Sequence, residues 1–525
     1  MHSVNIKNYI TPLVLVVVGV FVGGYVLSRN GSTVPTQAAK ASSIVELKDG
    51  DTYNLAASYV TKEINEKPQT MLAYNGMIPG PTIKVAQGAE ITINFKNNTD
   101  LPALLHSHGV RVDNAFDGAQ GVQKDIPPGG SFSYKLKFPD AGVFWYHPHA
   151  NEVYEQPLGL YGAFIVTPSD PNYYPPVNQE VPLFLSDLPT SSDGDIVLTK
   201  NSKEYALMGH YGNTFLVNGE ESYSLPVKMG EVVRFDVINA ANARPYKFAI
   251  AGAKLKIVGS DNGAYEKAFF ADSVTLGPSE RAVVDVLFAK PGEYVIENKT
   301  PDATYPLGIV SVRADTATPS YVQSFNLLQA NKTVSASIDP FRSYFNKAPD
   351  KKLKLTLNLL GGAMSSGMGG HMMRDGTMMG GSMAGMGGTM SGSSDGIEWE
   401  DNMPMMGNLT TDAVKWQIVD QDTNKVNSDI RWMFAKGVPV KIEIYNDPTS
   451  AHPMQHPIHF HGNRFLVVSR NGAPQTNLVW KDTVLIKAGE TVDIVLDASN
   501  PGAWMAHCHT AEHLQDGMMF TYEVR

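Results

Sequence analysis

The chain has 525 residues, of which 43% are hydrophobic and 18% are charged, and its formal net charge is -10. This length exceeds what one hydrophobic core usually serves and indicates about three domains. The negative charge, without a run of Lys and Arg, argues against nucleic acid as a partner, and a single cysteine excludes an internal disulfide.

The first 43 residues form a separate unit in the sequence. Lys7 precedes an apolar stretch at residues 13–27, which is long for the core of a signal peptide and short for a membrane-spanning helix. A cleavage site is conceivable at residues 39–41, but these lie far beyond the apolar stretch. We therefore favour an uncleaved membrane anchor over a cleaved signal peptide. Either alternative predicts export to the periplasm or to the extracellular face.

One pattern occurs three times along the rest of the chain: a glycine, apolar residues at +3, +5 and +7, and an asparagine at +9. The copies begin at Gly88, Gly230 and Gly437. An apolar period of two predicts a strand with one buried face. A second glycine in each copy is followed five residues later by His147, Glu297 and His507. The same strand therefore recurs, and the middle copy has no histidine there.

Short strands, frequent Gly and Pro turns and little helical periodicity predict an all-β fold of three consecutive β-sandwiches. The expected domains are residues 44–168, 178–316 and 352–525, joined by proline-bearing or irregular connectors at 169–177 and 317–351. Four histidines fall in the first domain, only His210 in the second, and eight in the third. This division predicts that the first and third domains touch, with the second as a spacer.

Four His-x-His pairs lie in the first and third domains. Residues i and i+2 of a strand face the same side, so each pair presents two imidazoles about 7 Å apart, which suits a metal pair or chelation of one ion. The eight histidines are His106, His108, His147, His149, His459, His461, His507 and His509. Eight imidazoles without a carboxylate favour copper over magnesium, calcium or iron, whereas zinc would need only three or four of them.

The only cysteine, Cys508, lies between two of these histidines in HCHTAEHLQDGM and points to the opposite face of its strand. There it can meet His513, Met518 and, from a neighbouring strand, His456. Two histidines, one cysteine and a weak methionine are the donors of a blue-copper electron-transfer centre. A buried structural cysteine is the alternative.

A methionine-rich insert is expected at residues 361–407 of the third domain, because 12 of the 22 methionines lie between Met364 and Met406. Its glycine content breaks any strand or helix period and predicts a loop. Thioethers select Cu(I) over harder ions, so we expect the insert to capture or exchange Cu(I) near the blue-copper site, with a low-complexity linker as the alternative. His452 and Met454 are candidates for a substrate-copper site at the protein surface.

The motifs HSHG, HPH, HPIHFH and HCHTAEHLQDGM, in this order, resemble those of the multicopper oxidases, the family of laccases, bacterial cuprous oxidases and ferroxidases. The resemblance extends from about residue 44 to the last residue, and the methionine-rich insert is similar to that of bacterial copper-efflux oxidases. It implies three cupredoxin-like Greek-key domains and about four copper ions, one type 1, one type 2 and a type 3 pair.

The resemblance assigns copper ligands by motif position. The type 1 copper would be held by His456, Cys508, His513 and Met518. The type 2 copper would be held by His106 and His459. The type 3 pair would be held by His108, His147, His149, His461, His507 and His509.

The resemblance also implies an activity. A donor gives single electrons to the type 1 copper, and these pass through the Cys508 backbone to the flanking histidines and reduce O₂ to water. The expected donor is Cu(I), and also Fe(II) or phenols, in copper homeostasis. We expect a monomer that meets a membrane only through its N-terminal segment. Asp117 is the expected proton-relay acid and Glu512 a weaker second candidate. The chain departs from the family pattern at Leu514, where relatives often have an acid.

Two other functions stay open at this point. A laccase-type phenol oxidase would use the methionine-rich insert to shield its donor pocket. A non-enzymatic copper store would bind several copper ions without consuming oxygen, although storage has no use for a cysteine between two cluster ligands. A copper nitrite reductase would need fewer histidines and usually two domains.

Overall fold

The computed structural model describes residues 25–27, 33–35, 37–360, 395–401 and 407–525. Most of the N-terminal apolar stretch and of the methionine-rich insert lies outside these residues. Within them, we find no helix that is both long and apolar enough to span a membrane. A short antiparallel pair, Tyr25–Leu27 with Thr33–Pro35, precedes the first domain.

The first domain is a sandwich of two five-stranded sheets, as predicted. One sheet consists of Ser131–Lys137, Glu90–Asn97, Thr52–Ile64, Gln37–Ala38 and Lys67–Tyr74. The other has the spatial order Ile44–Glu46, Thr82–Ala86, Gly162–Thr167, Gly142–Pro148 and Leu105–His108. The period of two is visible in Glu90–Asn97, where Ile91, Ile93 and Phe95 are buried in the core between the sheets.

The second domain repeats this arrangement with a six-stranded and a five-stranded sheet. The larger sheet has the order Thr214–Val217, Gln179–Leu188, Val232–Asn239, Arg281–Leu287, Leu255–Ser260 and Gly263–Ala271. The smaller sheet has the order Tyr223–Met229, Thr304–Thr316, Gly292–Lys299, Tyr246–Ile250 and Val274–Leu276.

The third domain packs a seven-stranded sheet against a five-stranded one. The larger sheet consists of Val414–Asp420, Lys351–Leu359, Val440–Asn446, Thr491–Asp497, Arg464–Arg470, Ala473–Pro474 and Trp480–Lys481. The smaller sheet has the order Arg431–Phe434, Met519–Val524, Gly502–Cys508, His456–Phe460 and Thr483–Ile486. The all-β prediction of three cupredoxin-like sandwiches is therefore confirmed.

Helices are few and short in the described part of the chain. The α-helices are Glu152–Glu155, Val322–Asn326, Lys332–Ile338 and Ala511–Gln515, and the 3-10 helices are Asn114–Phe116, Asp339–Tyr344 and Asn427–Asp429. Three of them lie in the connector 317–351, for which no helix was predicted. They form there because Val334 and Ile338, one helical turn apart, pack on Trp480 of the third domain.

The first and third domains are in contact, as expected from the division of histidine. Asp140 of the first domain accepts hydrogen bonds from Arg111 at 2.6 Å and from Arg464 of the third domain at 2.7 Å. The second domain is more than a spacer, because Arg281 pairs with Asp482 of the third domain in the interior.

Candidate metal centres

In the first domain, one antiparallel strand pair carries two of the histidine motifs. Leu105–His108 lies beside Gly142–Pro148, and His106 faces His147 across the pair. All residues of both strands are buried. The imidazoles therefore point into the protein interior and not into solvent.

In the third domain, the remaining motifs are brought together in the same way. His456–Phe460 lies antiparallel to Gly502–Cys508, and His459 faces His507. Because side chains alternate along a strand, Cys508 projects from the opposite face to His507. One strand thus serves two separate groups of donors.

The two strand pairs meet where the first and third domains touch. The ring centroids of His108 and His459 are 3.8 Å apart, and those of His106 and His461 are 4.1 Å apart. Each pair joins a histidine of the first domain to one of the third. All eight His-x-His imidazoles therefore share one buried crevice, as the sequence predicted.

Within this crevice the imidazoles form groups whose ligand atoms lie within 4.8 Å of one another. The groups are His106, His108 and His459; His108, His147 and His509; His149, His461 and His507; and His106, Asp117 and His461. The second and third groups divide the expected type 3 ligands into two sets of three. The first contains both expected type 2 ligands.

Hydrogen bonds determine which nitrogen of each ring is free to bind a metal. The Nδ1 atoms of four rings lie 2.7–2.9 Å from backbone carbonyl oxygens, namely those of His106, His147, His459 and His507. A carbonyl only accepts, so these Nδ1 atoms carry the proton and Nε2 keeps its lone pair.

In His108 the two ring nitrogens exchange these roles. Its Nε2 donates to Asp482 Oδ1 at 2.9 Å and lies 3.0 Å from the Thr483 hydroxyl, which leaves Nδ1 as the free nitrogen. Burial opposes ionisation of Asp482, but the Arg281 guanidinium holds the pKa of this carboxyl well below its usual range. The negative charge needed to accept from His108 is therefore maintained.

The free nitrogens test whether a metal fits this crevice. Among the described residues, Nε2 of His106, His147 and His459 and both ring nitrogens of His149 and His509 are buried without a hydrogen-bond partner. An unsatisfied buried nitrogen costs about 1–3 kcal/mol, so a cluster of them needs an explanation. Neutral imidazoles are good copper ligands, and a hydrogen bond at the second nitrogen, as in most of these rings, fixes their orientation.

The protonation state of the rings agrees with that fit. Burial is the largest cause that lowers the pKa of seven of these imidazoles below the usual histidine range. In most of the seven, repulsion from neighbouring rings is the second cause. The rings concerned are His106, His108, His147, His149, His461, His507 and His509, with His149 at about 4. The rings are therefore neutral at physiological pH and able to bind a cation.

Asp117 lies in the same crevice. Its Oδ2 accepts a hydrogen bond from His461 Nδ1 at 2.9 Å, and burial raises the pKa of its carboxyl to about 8. The loop can approach this closely because Gly118 has φ +70°, and a Cβ there would overlap the carbonyl oxygen of Leu105. Asp117 is thus an acid that still carries its proton near neutral pH.

The second group of donors surrounds Cys508. Its Sγ lies 3.6 Å from His456 Nδ1 and 3.5 Å from His513 Nδ1. Met518 is fully buried, and its backbone bonds to Cys508 and His513 hold it beside both. Burial raises the pKa of the Cys508 thiol to about 12, so a bound metal would have to supply the charge that favours the thiolate.

Trp416 covers this second group, and the sequence patterns did not single it out. Its ring centroid lies 4.4 Å from that of His513 and 4.8 Å from that of His456. Its Nε1 donates to the carbonyl oxygen of Ala206 at 2.8 Å. A tryptophan in a strand normally indicates core packing, so no local signal marks this contact.

The expected substrate-copper pair lies deeper than predicted. His452 is 7% exposed and Met454 is fully buried, so neither stands at the protein surface. The reason is packing: Met454 belongs to the core of the third domain, and His452 lies 6.4 Å from the Trp416 ring. Among the described residues, His452 Nε2 has no hydrogen-bond partner.

Glu512, the second candidate for the proton-relay acid, is buried and bonded to the second domain. It is 1% exposed, and its Oε1 accepts from the Nδ1 and the backbone N–H of His210 at 2.8 and 3.1 Å. His210, which had no partner in the sequence, thus joins the second domain to the third. Their sequence separation of 302 positions explains why no motif showed this pair.

A further acid near the cluster, Glu152, was also missed. Its Oε1 lies 3.6 Å from His149 Nδ1, and both of its carboxyl oxygens are buried. It lines a cavity of about 280 Å³ together with His149. In sequence, Glu152 is one acid in a short helix and has no distinguishing spacing.

Comparison with known proteins agrees with the fold and with this donor set. Family models described as multicopper oxidase match residues 56–171, 179–317 and 399–525, which together are most of the chain. The multicopper oxidase mco of Staphylococcus aureus is 27% identical, over 85% of this chain and 82% of the relative. Laccase-12 of Arabidopsis thaliana is 25% identical, over 87% of this chain and 89% of the relative.

Solved structures share the fold. The multicopper oxidase of Campylobacter jejuni, described as a metallo-oxidase, superposes with a TM-score of 0.67 at 22% identity, covering 93% of this chain and 95% of that one. The multicopper oxidase of Pseudomonas thermotolerans gives a TM-score of 0.67 at 23% identity, covering 92% of this chain and 100% of that one. The chain therefore belongs to the multicopper oxidase family, and it is a copper-dependent oxidoreductase with O₂ as electron acceptor.

Proposed function

We propose that this enzyme oxidises Cu(I), and also Fe(II) or phenols, and that it serves copper homeostasis. The observation that carries the proposal is where the methionine-rich insert joins the folded domain. The insert connects strands Lys351–Leu359 and Val414–Asp420, which pair antiparallel. Trp416, on the second of these strands, contacts two of the proposed type 1 ligands.

The C-terminal flank of the insert reaches the same place. The carbonyl oxygen of Gly407, directly after Met406, accepts from the backbone N–H of Tyr205 at 2.7 Å. Leu207 follows Tyr205 by two residues, and its carbonyl oxygen lies 3.3 Å from Nε2 of His513. A methionine-rich segment attached here can deliver Cu(I) close to the electron-entry side of the protein, because thioethers bind Cu(I) selectively.

The ligand roles follow the observed groups. We assign His456, Cys508, His513 and Met518 to the type 1 copper, His106 and His459 to the type 2 copper, and His108, His147, His149, His461, His507 and His509 to the type 3 pair. Bound copper at these positions would supply the one-electron redox chemistry that couples the donor to O₂.

The protein's own residues link the two centres and exclude water between them. Cys508 is bonded directly to His507 and His509, so a single peptide bond joins this proposed type 1 ligand to each of two proposed type 3 ligands. His507 Nδ1 also donates to the Cys508 carbonyl at 2.8 Å, which shortens the path between them. Reduction of O₂ to water consumes protons, and we propose that Asp117, protonated and hydrogen-bonded to His461, supplies one.

A laccase-type phenol oxidase is the second candidate, favoured by the relatives named laccase. The two functions differ in what the insert does. In the laccase case the methionines only shield the donor site, whereas in the proposed case they bind the donor.

The experiment replaces the nine methionines from Met364 to Met390 by serine and leaves residues 395–401 in place. A full deletion is less informative because Ile397 and Trp399 are buried against Leu485. We expect kcat/KM for Cu(I) to fall at least about tenfold, which corresponds to about 1.4 kcal/mol of lost transition-state stabilisation, with phenol oxidation unchanged.

The control for this experiment is Met433→Ser, because Met433 is 59% exposed and lies outside the insert. Cu(I) oxidation that stays the same in the ninefold variant would overturn the proposed donor. Phenol oxidation that rises as Cu(I) oxidation persists would favour the laccase function.

We also propose that the enzyme is exported, acts as a monomer and is held at a membrane by its N-terminal segment. The support is the apolar stretch at residues 13–27 followed by a polar linker. Fractionation of cells expressing the full chain tests this: recovery in the cytosol would refute export, and recovery as a shortened soluble form would refute the anchor.

A further inference from the structure

Arg281 lies in the second domain, to which no copper ligand is assigned. Its guanidinium nevertheless bonds Asp482, which is hydrogen-bonded to two of the proposed copper ligands. Nη1 and Nη2 donate to Oδ1 and Oδ2 of Asp482 at 2.7 and 2.5 Å. Both side chains are completely buried. Two parallel N–H···O bonds fix the plane of a carboxylate in a way that a point charge does not.

The remaining donors of Arg281 attach it to the first and second domains. Its Nε donates to the carbonyl oxygen of Val143 at 2.9 Å, and its Nη1 to that of Ser279 at 3.0 Å. Val143 lies in the strand that ends in His147, so Arg281 is anchored to one histidine-bearing strand while it holds Asp482 of the third domain. All three domains therefore meet at this side chain.

Asp482 passes this constraint to the cluster. Its Oδ1 accepts from His108 Nε2 at 2.9 Å, and its backbone carbonyl accepts from His459 Nδ1 at 2.8 Å. The approach is tight: a Cβ on Gly109 would overlap Asp482 Oδ2. One residue thus orients a histidine from each of the two ligand-bearing domains.

We propose that Arg281 is a positioning residue of the trinuclear centre, which the type 2 copper and the type 3 pair form together. By holding Asp482 in place, it keeps His108 in the tautomer that presents Nδ1 to the type 3 copper. This inference rests on the ligand assignment under Proposed function, but not on the identity of the electron donor. Without the guanidinium, the Thr483 hydroxyl and His108 are the only described groups that hold the Asp482 carboxylate, both at Oδ1. The plane of the carboxylate is then less constrained, and His108 can adopt the other neutral tautomer.

The same sheet contains a matched pair without this role. Arg234 and Asp285 are also buried, with Nε···Oδ1 and Nη2···Oδ2 distances of 2.8 and 3.0 Å. Arg234 donates otherwise to the carbonyl oxygen of Pro175, and no histidine is bonded to Asp285 in the described part of the chain. Arg234 variants therefore measure what the loss of a buried arginine–aspartate pair costs by itself.

The experiment compares Arg281→Lys with Arg234→Lys in the copper-loaded full chain. Lysine keeps the charge but cannot donate to both carboxylate oxygens and to Val143 at once. For Arg281→Lys we expect trinuclear copper to bind about 10- to 100-fold more weakly in competition with a chelator. The near-ultraviolet band of the type 3 pair should fall with it, while the visible type 1 band stays.

Arg234→Lys should leave copper content and both bands unchanged, even where it lowers the unfolding temperature. Equal copper affinity and equal type 3 absorption in the two variants would overturn the inference and leave Arg281 a structural residue. If Arg281→Lys does not fold, Asp482→Asn, which preserves side-chain volume, decides in its place: loss of type 3 absorption supports the inference and its retention overturns it.

This test separates the two proposals. A wild-type protein with intact type 3 absorption and no Cu(I) oxidation would refute the proposed donor and leave the role of Arg281 standing. A wild-type protein that binds no trinuclear copper would refute the ligand assignment and this inference together.

Discussion

Six of the eight His-x-His rings at the centre of the protein have one nitrogen already engaged in a hydrogen bond to a backbone carbonyl or a carboxylate. Nδ1 of His106 donates a hydrogen bond to the Asp117 carbonyl oxygen, and Nδ1 of His459 donates to that of Asp482. Both rings therefore keep Nε2 free for a metal. The identity of these histidines was predictable, because i, i+2 spacing places them on one face of a strand. The choice of nitrogen was not, since Asp482 is 374 residues from His108 in sequence.

At this scale we predict the effect of Asp117→Asn. The amide oxygen can still accept from His461 Nδ1, so the geometry is kept, but the side chain no longer has an acidic proton. We expect turnover with O₂ to fall about a hundredfold or more, as when a general acid is removed. Reduction of the type 1 copper by the donor without oxygen should proceed at the wild-type rate, as measured by stopped-flow bleaching of the visible band.

Asp113→Asn is the control, because Asp113 is exposed and caps the short helix Asn114–Phe116 in the same loop. If both variants reduce O₂ equally fast, Asp117 is not the acid that delivers the proton.

At the scale of single elements, strand alternation explains why one segment serves two centres. The strand Gly502–Cys508 directs His507 towards the first domain and Cys508 into the third. The period of two was readable in the sequence, and so were the three recurrent strands. The helices in the connector 317–351 were not, since Val334 and Ile338 acquire their packing partners from other domains, including Ala264 of the second and Trp480 of the third.

Cys508→Ser tests the division of that strand. A serine hydroxyl is a poor ligand for copper in such a soft site, whereas the backbone and both flanking histidines are unchanged. We expect the intense band near about 600 nm to vanish and copper content to fall from about four to about three per chain. Loss of the type 3 absorption as well would show that the two centres do not form independently.

At the scale of the whole molecule, the crevice exists only because the first and third domains are held together. Asp140 is central to that contact, since it bonds both Arg111 and Arg464 and is 7% exposed. Burial opposes its ionisation, but Arg464 and Arg111 lower the pKa of its carboxyl below the usual value. The contact between these domains was predictable from the division of histidine, but the residues that form it were not.

Asp140→Asn should therefore loosen the contact. The arginines are about 15% exposed, so the loss should fall between the ~1 kcal/mol of exposed pairs and the ~4 kcal/mol of buried ones. Because the folded-state pKa is lowered, the carboxylate stabilises the wild type above the unfolded pKa, and this contribution disappears as pH falls through the folded one. The difference in unfolding temperature should accordingly be full at pH 7 and shrink below about pH 4.

Asp339→Asn serves for comparison, since its pair with Arg342 is exposed. An Asp140→Asn protein with wild-type unfolding temperature and copper content at pH 7 would show that other contacts suffice to join the domains.

The crevice draws its imidazoles from stretches of chain more than 300 residues apart, as the contact between the His106 and His461 rings illustrates. The third domain must therefore be synthesised and folded before the ligands of the crevice can come together. Copper binding to the crevice thus follows folding. Once bound, the copper ions would cross-link the first and third domains, because each of these domains contributes ligands. Removal of copper by a chelator should then weaken the contact between the first and third domains as well as abolish catalysis.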